Sequence, residues 1–291
     1  MLDLSKIKRP TNLPQWERPP LDEVAISVQF NDIPGLKTVH YGLLAERLRK
    51  FGLIHHEDKA PIPASFEVFG KRIAPIQLQL QAVEAPLLPR VWYMSEDKHR
   101  LVQVQPDKFV YNWRKVEGAG EYPRFDGVVL PEFLERCQAF EAFVKEQRLP
   151  ALALNQCELS YFNVIEVAEG ETFHDAFARV FRFWSDQNVA ALNDGASFEK
   201  DSGNIVLTHV LRAADGSPLA RIHTNITAAE RQTQRVIRLA LIFRGPWTNA
   251  IDISLMEFFA QGREAIVRLF DTMIADQMHT AWGRTLPVAR S

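Results

Sequence analysis

The chain has 291 residues, 46% of them hydrophobic and 24% charged, with a formal net charge of −2 and a pI near 6.5. That is the composition of a globular protein with a sizeable core, and it excludes any overall pull toward nucleic acid or an anionic membrane. Two cysteines, Cys137 and Cys157, are too few for a disulfide scaffold and fit a reducing compartment, although a single pair is compatible with the sequence.

In chain order, Met1 to Pro20 is charged and proline-rich and reads as an extended arm without the apolar stretch of a signal peptide. No apolar run approaches the ~18 residues of a membrane span, so the expected location is cytoplasmic. Val24 to Phe30 alternates as a strand. Leu36, Val39, Leu43, Leu44, Leu48 and Phe51 recur at helical spacing, and Gly52 stops that helix. Five prolines (Pro61, Pro63, Pro75, Pro86, Pro89) punctuate the next stretch around short strands such as Ile76 to Val83. The strand Val91 to Met94 turns through Ser95 to His99 into Leu101 to Arg114, where Pro106-Asp107 is a natural turn centre. A two-residue hairpin there sets Gln105 opposite Lys108, Val104 opposite Phe109 and Val102 opposite Tyr111. One face then carries Val102, Val104, Phe109, Tyr111 and Trp113, and the other Leu101, Gln103, Gln105, Asn112 and Arg114.

A Glu117-Gly118-Ala119-Gly120 link leads to a second helix, Pro131 to Gln147. Leu154 to Ile165 closes the first half, with Cys157, Leu159, Tyr161 and Ile165 facing in and Gln156, Glu158 and Ser160 facing out. Shared parity predicts one core of Phe109, Tyr111, Trp113, Leu159 and Tyr161 under the first two helices. The second half begins with an aromatic helix, Thr172 to Trp184. The strands Ile205 to Arg212, Leu219 to Thr227 and Val236 to Arg244 follow. A final helix from Ile253 to about Trp282 has its apolar stripe, Leu255 to Met273, predicted to lie on the second meander. The expected fold is α+β: an arm (1–20) and two halves (21–168 and 169–291), each an antiparallel meander curled against long helices in a helix-grip-like manner. The halves are compatible with a single domain, and no sequence repeat relates them.

The chemical motifs are sparse. His209 and His223 fall on neighbouring strands, but HxH, HExxH and CxxC spacings are missing, so no metal site is expected. GxSxG, GxGxxG and GxxxxGK[ST] are missing too, and no cofactor is expected. Arg212, Arg221, Arg231, Arg235, Arg238 and Arg244 concentrate in the second meander, where Arg221, His223 and Asn225 share one face. With few aromatics interleaved, a solvated sheet face outweighs a nucleic-acid groove.

The richest constellation is the outer face of the first sheet, with Gln103, Gln105, Asn112 and Arg114 from the hairpin and Gln156 and Glu158 from the closing strand. Amides and an Arg/Glu pair on one sheet face would line a polar concavity that orients a ligand. The competing expectation is a water-facing surface with a weak salt bridge, worth ~0–1 kcal/mol. An arginine beside a carboxylate lowers its pKa and makes it a poor general base, which favours binding over catalysis. Two functions stay open. One is a binding or interaction protein using this face, or the arm, on a protein partner or small ligand. The other is an enzyme or small-molecule carrier with a cavity between the curled sheet and the long helix; such a cavity would favour this second function if it reached Glu158.

Across nearly the whole chain from Pro20, several stretches resemble one known family. They are Pro20-Leu21-Asp22-Glu23-Val24, Arg90-Val91-Trp92-Tyr93, Gln103-Val104-Gln105 with Phe109 and Asn112-Trp113-Arg114, Tyr122-Pro123-Arg124-Phe125, Gln156-Cys157-Glu158-Leu159 with Tyr161 and Asn163, and Gly262-Arg263-Glu264 with His279 and Trp282. The family is a sporadically distributed bacterial one without an established activity. Lys108 stands where the family tends to have arginine, and Lys98-His99 replaces an Asp-Gly turn; neither change touches the polar face. The patchy distribution that the resemblance implies fits an accessory protein of a mobile or defence-type locus.

Overall fold

A computed structural model describes residues 10, 12–70, 88–116, 121–185, 202–247 and 254–286. Strand β1 (Gln15–Trp16) precedes β2 (Leu21–Phe30) and helix α1 (Thr38–Leu48). A 3-10 turn then ends at Gly52, whose φ of +75° is the left-handed conformation that only glycine adopts without strain. Next come β3 (Leu53–Lys59), β4 (Arg90–Ser95), β5 (Arg100–Gln105) and β6 (Lys108–Arg114). A π-helical turn, Phe125–Val129, opens α2 (Leu130–Glu146), which leads to β7 (Leu154–Glu166). Then follow α3 (Phe173–Val180), β8 (Asn204–Arg212), β9 (Pro218–Arg231) and β10 (Gln234–Pro246). Two helices, α4 (Leu255–Met273) and α5 (Asp276–Ala281), and a short β11 (Arg284–Thr285) complete the described chain.

The fold is α+β, built on a large antiparallel sheet of order β3-β4-β5-β6-β2-β7-β10-β9-β8. The first long strand thus sits in the middle, joining β3–β6 on one side to β7–β10 on the other. The hairpin register is the expected one: Gln105 faces Lys108, Val104 faces Phe109 and Val102 faces Tyr111. Its apolar face meets α2 through Phe109, whose ring centroid lies 5.4 Å from that of Phe140. Helix α4 covers β10, as its stripe predicts. Phe258 packs on Phe243, and a Cβ at Gly262 would lie 2.5 Å from the Phe243 ring, so glycine lets the helix approach this closely. Phe133 of α2 meets Phe259 of α4 at 5.2 Å, and one hydrophobic cluster runs beneath both helices. Phe109, Tyr111, Trp113, Leu159 and Tyr161 all belong to that cluster. No helix among the described residues is long and apolar enough to cross a membrane.

Several elements differ from the sequence expectation. Helix α1 buries Tyr41, Leu44 and Leu48, while Val39 and Leu43 are 63% and 47% exposed, so the stripe is rotated by the position of the sheet. Strand β3 was not foreseen, because its His55-His56-Glu57-Asp58-Lys59 run is polar, as befits a sheet edge protected by charge. The aromatic helix of the second half ends early, at Val180, because Phe181 leaves to form a bridge with Ile274. That bridge also divides the last helix. Ile274 and Ala275 are extended, the Arg182 amide donates to the Met273 carbonyl and the Ala275 amide to that of Val180, and α5 restarts only at Asp276. The N-terminal arm is docked rather than free along Asn12–Pro20. Its β1 pairs with β11, and the Trp16 indole N–H donates to Nδ1 of His279 at 3.2 Å. The expected strand Ile76 to Val83 and the Glu117–Gly120 link lie outside the described residues.

Candidate functional site

Strand alternation places all six candidate residues on the sheet face opposite the helices, but this face is not the water-facing surface expected of it. Gln103, Gln105, Asn112 and Gln156 are buried, the second and last to 3% exposure. The cover is an extended segment, Pro61–Phe69, called here the strap. Its backbone is held by a row of amides lying side by side across four strands: Gln105 on β5, Gln29 on β2 and Gln156 on β7, with Lys108 of β6 in the row. Gln105 is bidentate, its Oε1 accepting from the Ile62 amide at 2.9 Å and its Nε2 donating to the Ile62 carbonyl at 2.8 Å. Oε1 of Gln29 accepts from the Ser65 amide at 3.0 Å, and Oε1 of Gln156 from the Glu67 amide at 3.2 Å.

The spacing has a geometric cause. From β5 to β2 is two strand spacings, about 9.6 Å, which three residues of extended chain span. A segment crossing the strands at right angles therefore brings Ile62 and Ser65 over the two glutamines in turn. Beyond β7 the strap ends in a charged clamp. The Glu67 carboxylate, buried, receives Arg221 and lies 2.7 Å from Nε2 of His223, both from β9. Phe66 and Val68, at alternating positions, point to solvent.

A second polar chain runs across the other end of the face. Arg90 donates to Gln103 (2.8 Å), Gln103 to Asn112 (2.8 Å), and Asn112 to the Glu23 carboxylate. Burial pushes the Glu23 carboxyl above the usual carboxylate range and pulls the Lys108 ammonium below its own. The expected pairing of Arg114 with Glu158 does not form. Arg114 lies over the Trp92 ring and donates to the Lys98 carbonyl at 3.0 Å, while Glu158 is bound by Arg244 and by the Ser160 hydroxyl. The six candidates therefore share one face but divide between two networks and two separate contacts. Among the described residues, four buried donors on this face find no partner: Nε of Arg90, Nε1 of Trp92, Nε of Arg114 and Nε2 of Gln156. All four atoms can only donate, so what the described residues leave unmet on this face is a need for acceptors.

Parity on β2 put Gln29 within reach of sequence reasoning, since it shares a side with Glu23, Ala25 and Ser27. Nothing local marked Glu67. The basic residues of the second meander are not a single basic surface either: Arg221 takes Glu67, Arg244 takes Glu158, Arg231 takes Asp22, and Arg235 lies over Phe173. His209 and His223 are offset by one position in the β8–β9 register and so point to opposite faces. Both cysteines are free thiols, and burial pushes the Cys137 pKa up to about 12.

The clamp yields a prediction. Removing one partner of a buried ion pair costs about 3–5 kcal/mol when the other charge stays buried. In Glu67→Ala, detachment of the strap returns Arg221 and His223 to water, so the loss is capped at the strap's own docking free energy. Hydrogen exchange should show the Ile62 and Ser65 amides losing protection while the β2 and β7 amides keep theirs. A large fall in global stability with protected strap amides would refute independent detachment.

Comparison with protein-family models, with curated proteins and with solved structures gives no match to this chain.

Proposed function

We propose that the protein is a non-enzymatic binding protein whose polar sheet face recognises an extended polypeptide bearing a carboxylate. The strap is the observation that carries this reading. The face holds a chain by its backbone, through glutamines indifferent to side-chain identity, and selects one carboxylate with an Arg/His clamp. With Phe66 and Val68 in solvent, the strap's attachment is mainly polar and open to competition. The four spare donors favour a partner rich in carbonyl or carboxylate oxygens. In this reading Gln105 and Gln156 contact the bound chain, Gln103 and Asn112 brace the sheet face beside it, and Arg114 and Glu158 flank it. The protein is taken as a cytoplasmic accessory protein of a mobile or defence-type locus, a setting drawn from the resemblance to the sporadically distributed bacterial family. The helix-grip-like division into halves 21–168 and 169–291 belongs to the same proposal, supported by α2 packing at β6 and α4 at β10.

Competition in trans tests the reading. A labelled peptide of residues 61–69 should bind full-length Glu67→Gln protein, whose own strap has lost its clamp, at least about ten-fold more tightly than wild type. The same peptide with glutamine in place of its glutamate should lose that advantage. Equal binding by both proteins, or by both peptides, would reduce the face to a mount for its own strap.

A further inference from the structure

On the helix side of the sheet, a partly open cavity of about 70 Å³ is lined by β7, β10, α4 and the arm. It lies between sheet and long helix and does not reach Glu158, which faces the other way. Its two ends differ in chemistry. Leu241, Ile266 and Phe270 make one wall apolar, while Tyr122, Tyr161 and Arg263 gather at the other. Arg263 is only 8% exposed, and one of its nitrogens meets Asp126 at 3.1 Å. Asp126 and the Tyr161 hydroxyl, to which Arg263 also hydrogen-bonds, take up part of a five-donor guanidinium and leave donors over. The Tyr122 and Tyr161 hydroxyls lie 3.2 Å apart. Two protons share that single oxygen–oxygen contact, so one O–H is left to donate elsewhere. Burial raises the pKa of both phenols, which keeps them protonated through the neutral range.

The backbone around the polar end is also unusual. Arg124, which lines the cavity, has a φ of +54° although it is not glycine. The π-helical turn follows at once, with the amides of Val128 and Val129 both directed at the Arg124 carbonyl, at 3.2 and 3.3 Å. This widened turn carries Asp126, the counter-ion of Arg263. Such conformations cost energy and concentrate where a ligand or a reaction needs them.

We propose that this cavity is a binding site for a short aliphatic carboxylate, its oxygens held by Arg263 and the spare phenolic O–H and its hydrocarbon end against Ile266 and Phe270. Size sets the class: a cavity of about 150 Å³ takes benzene, so half that volume suits about two to four carbons. The cavity is itself partly open to solvent, and a neighbouring cleft of about 590 Å³ shares Pro19, Leu21 and Tyr122 with it. The site lies on the opposite face from the strap and does not depend on the polypeptide reading.

Ligand-detected NMR on the full chain tests it, with sodium propionate as the probe and propionamide as the neutral isostere. Propionate should bind saturably with a Kd of about 1 mM, roughly half the binding free energy that the best ligands of its size reach. Propionamide should bind at least about ten-fold more weakly, because the charge-assisted bond to arginine is lost. Arg263→Gln should abolish binding, but it also strands Asp126. The Tyr122→Phe/Tyr161→Phe double variant is therefore the safer comparison, since it keeps both rings and leaves Arg263 paired with Asp126, at the cost of the hydroxyl pair and of the Tyr161 acceptor of Arg263. It should weaken propionate at least about ten-fold. No saturable signal from the wild type, equal binding of propionamide, or an unchanged Kd in the double variant would each overturn the proposal.

Discussion

A chain ended after Gly262 should be insoluble. The truncation leaves the first two turns of α4 and removes Ile266, Val267, Phe270, Met273 and Ile274, all buried in the core. Full burial of such side chains contributes about 1.5–3 kcal/mol each, so the loss is about 8–15 kcal/mol. That matches the entire stability of an ordinary domain, about 5–15 kcal/mol. The same cut removes β11 and His279, the partners of β1 and Trp16, and so releases the arm. What remains exposes a contiguous apolar sheet face, which drives aggregation. Solubility after expression and a thermal melt check this; a soluble fragment melting cooperatively would show that the helix contributes little to the core.

Trp113→Ala should lower stability by about 3–5 kcal/mol, because it deletes a large side chain from a packed interior. Trp113 is 4% exposed and its ring stands 5.1 Å from that of Tyr122, edge to face. The side chain ties the sheet to the segment that enters the π-helical turn, so collapse into the space would displace that segment rather than fill the void. Denaturant unfolding measures the loss, with Trp113→Phe as a control that should retain most of the packing. A Trp113→Ala loss under about 1 kcal/mol would mean that the site collapses freely around the missing ring.

The hairpin was legible because each of its rules is local. Pro106-Asp107 sets the turn, the turn sets the register, and the two-residue period of a strand then assigns every side chain to a face. The apolar stripe of α4 was legible for the same reason, apart from its end. The break at Ile274 follows from a bridge to Phe181, 93 positions earlier in the chain, and no local signal announces such a partner. Helix α1 shows the limit in another way. Val39 and Leu43 fit the helical period as well as Tyr41 does, and only the position of the sheet selects which residues are buried.

The polar face divides along the same line. Its membership was readable, since Gln103, Gln105, Asn112, Arg114, Gln156 and Glu158 follow from parity alone. Its burial was not. Alternation tells which side of a strand a residue occupies, but not what lies over that side. Glutamines in a strand read as solvent-facing because water is the commonest partner for an amide; a crossing backbone satisfies the same amide equally well. The sequence by itself determined strand order within the hairpin, the inward set of the core and the residue types available on the outer face. The tertiary structure alone decided that Glu67 reaches Arg221, 154 positions away, and that Arg263 meets Tyr161 beside a cavity. Periodicity is a property of neighbours along the chain, whereas a partner for a buried charge is a property of position in space.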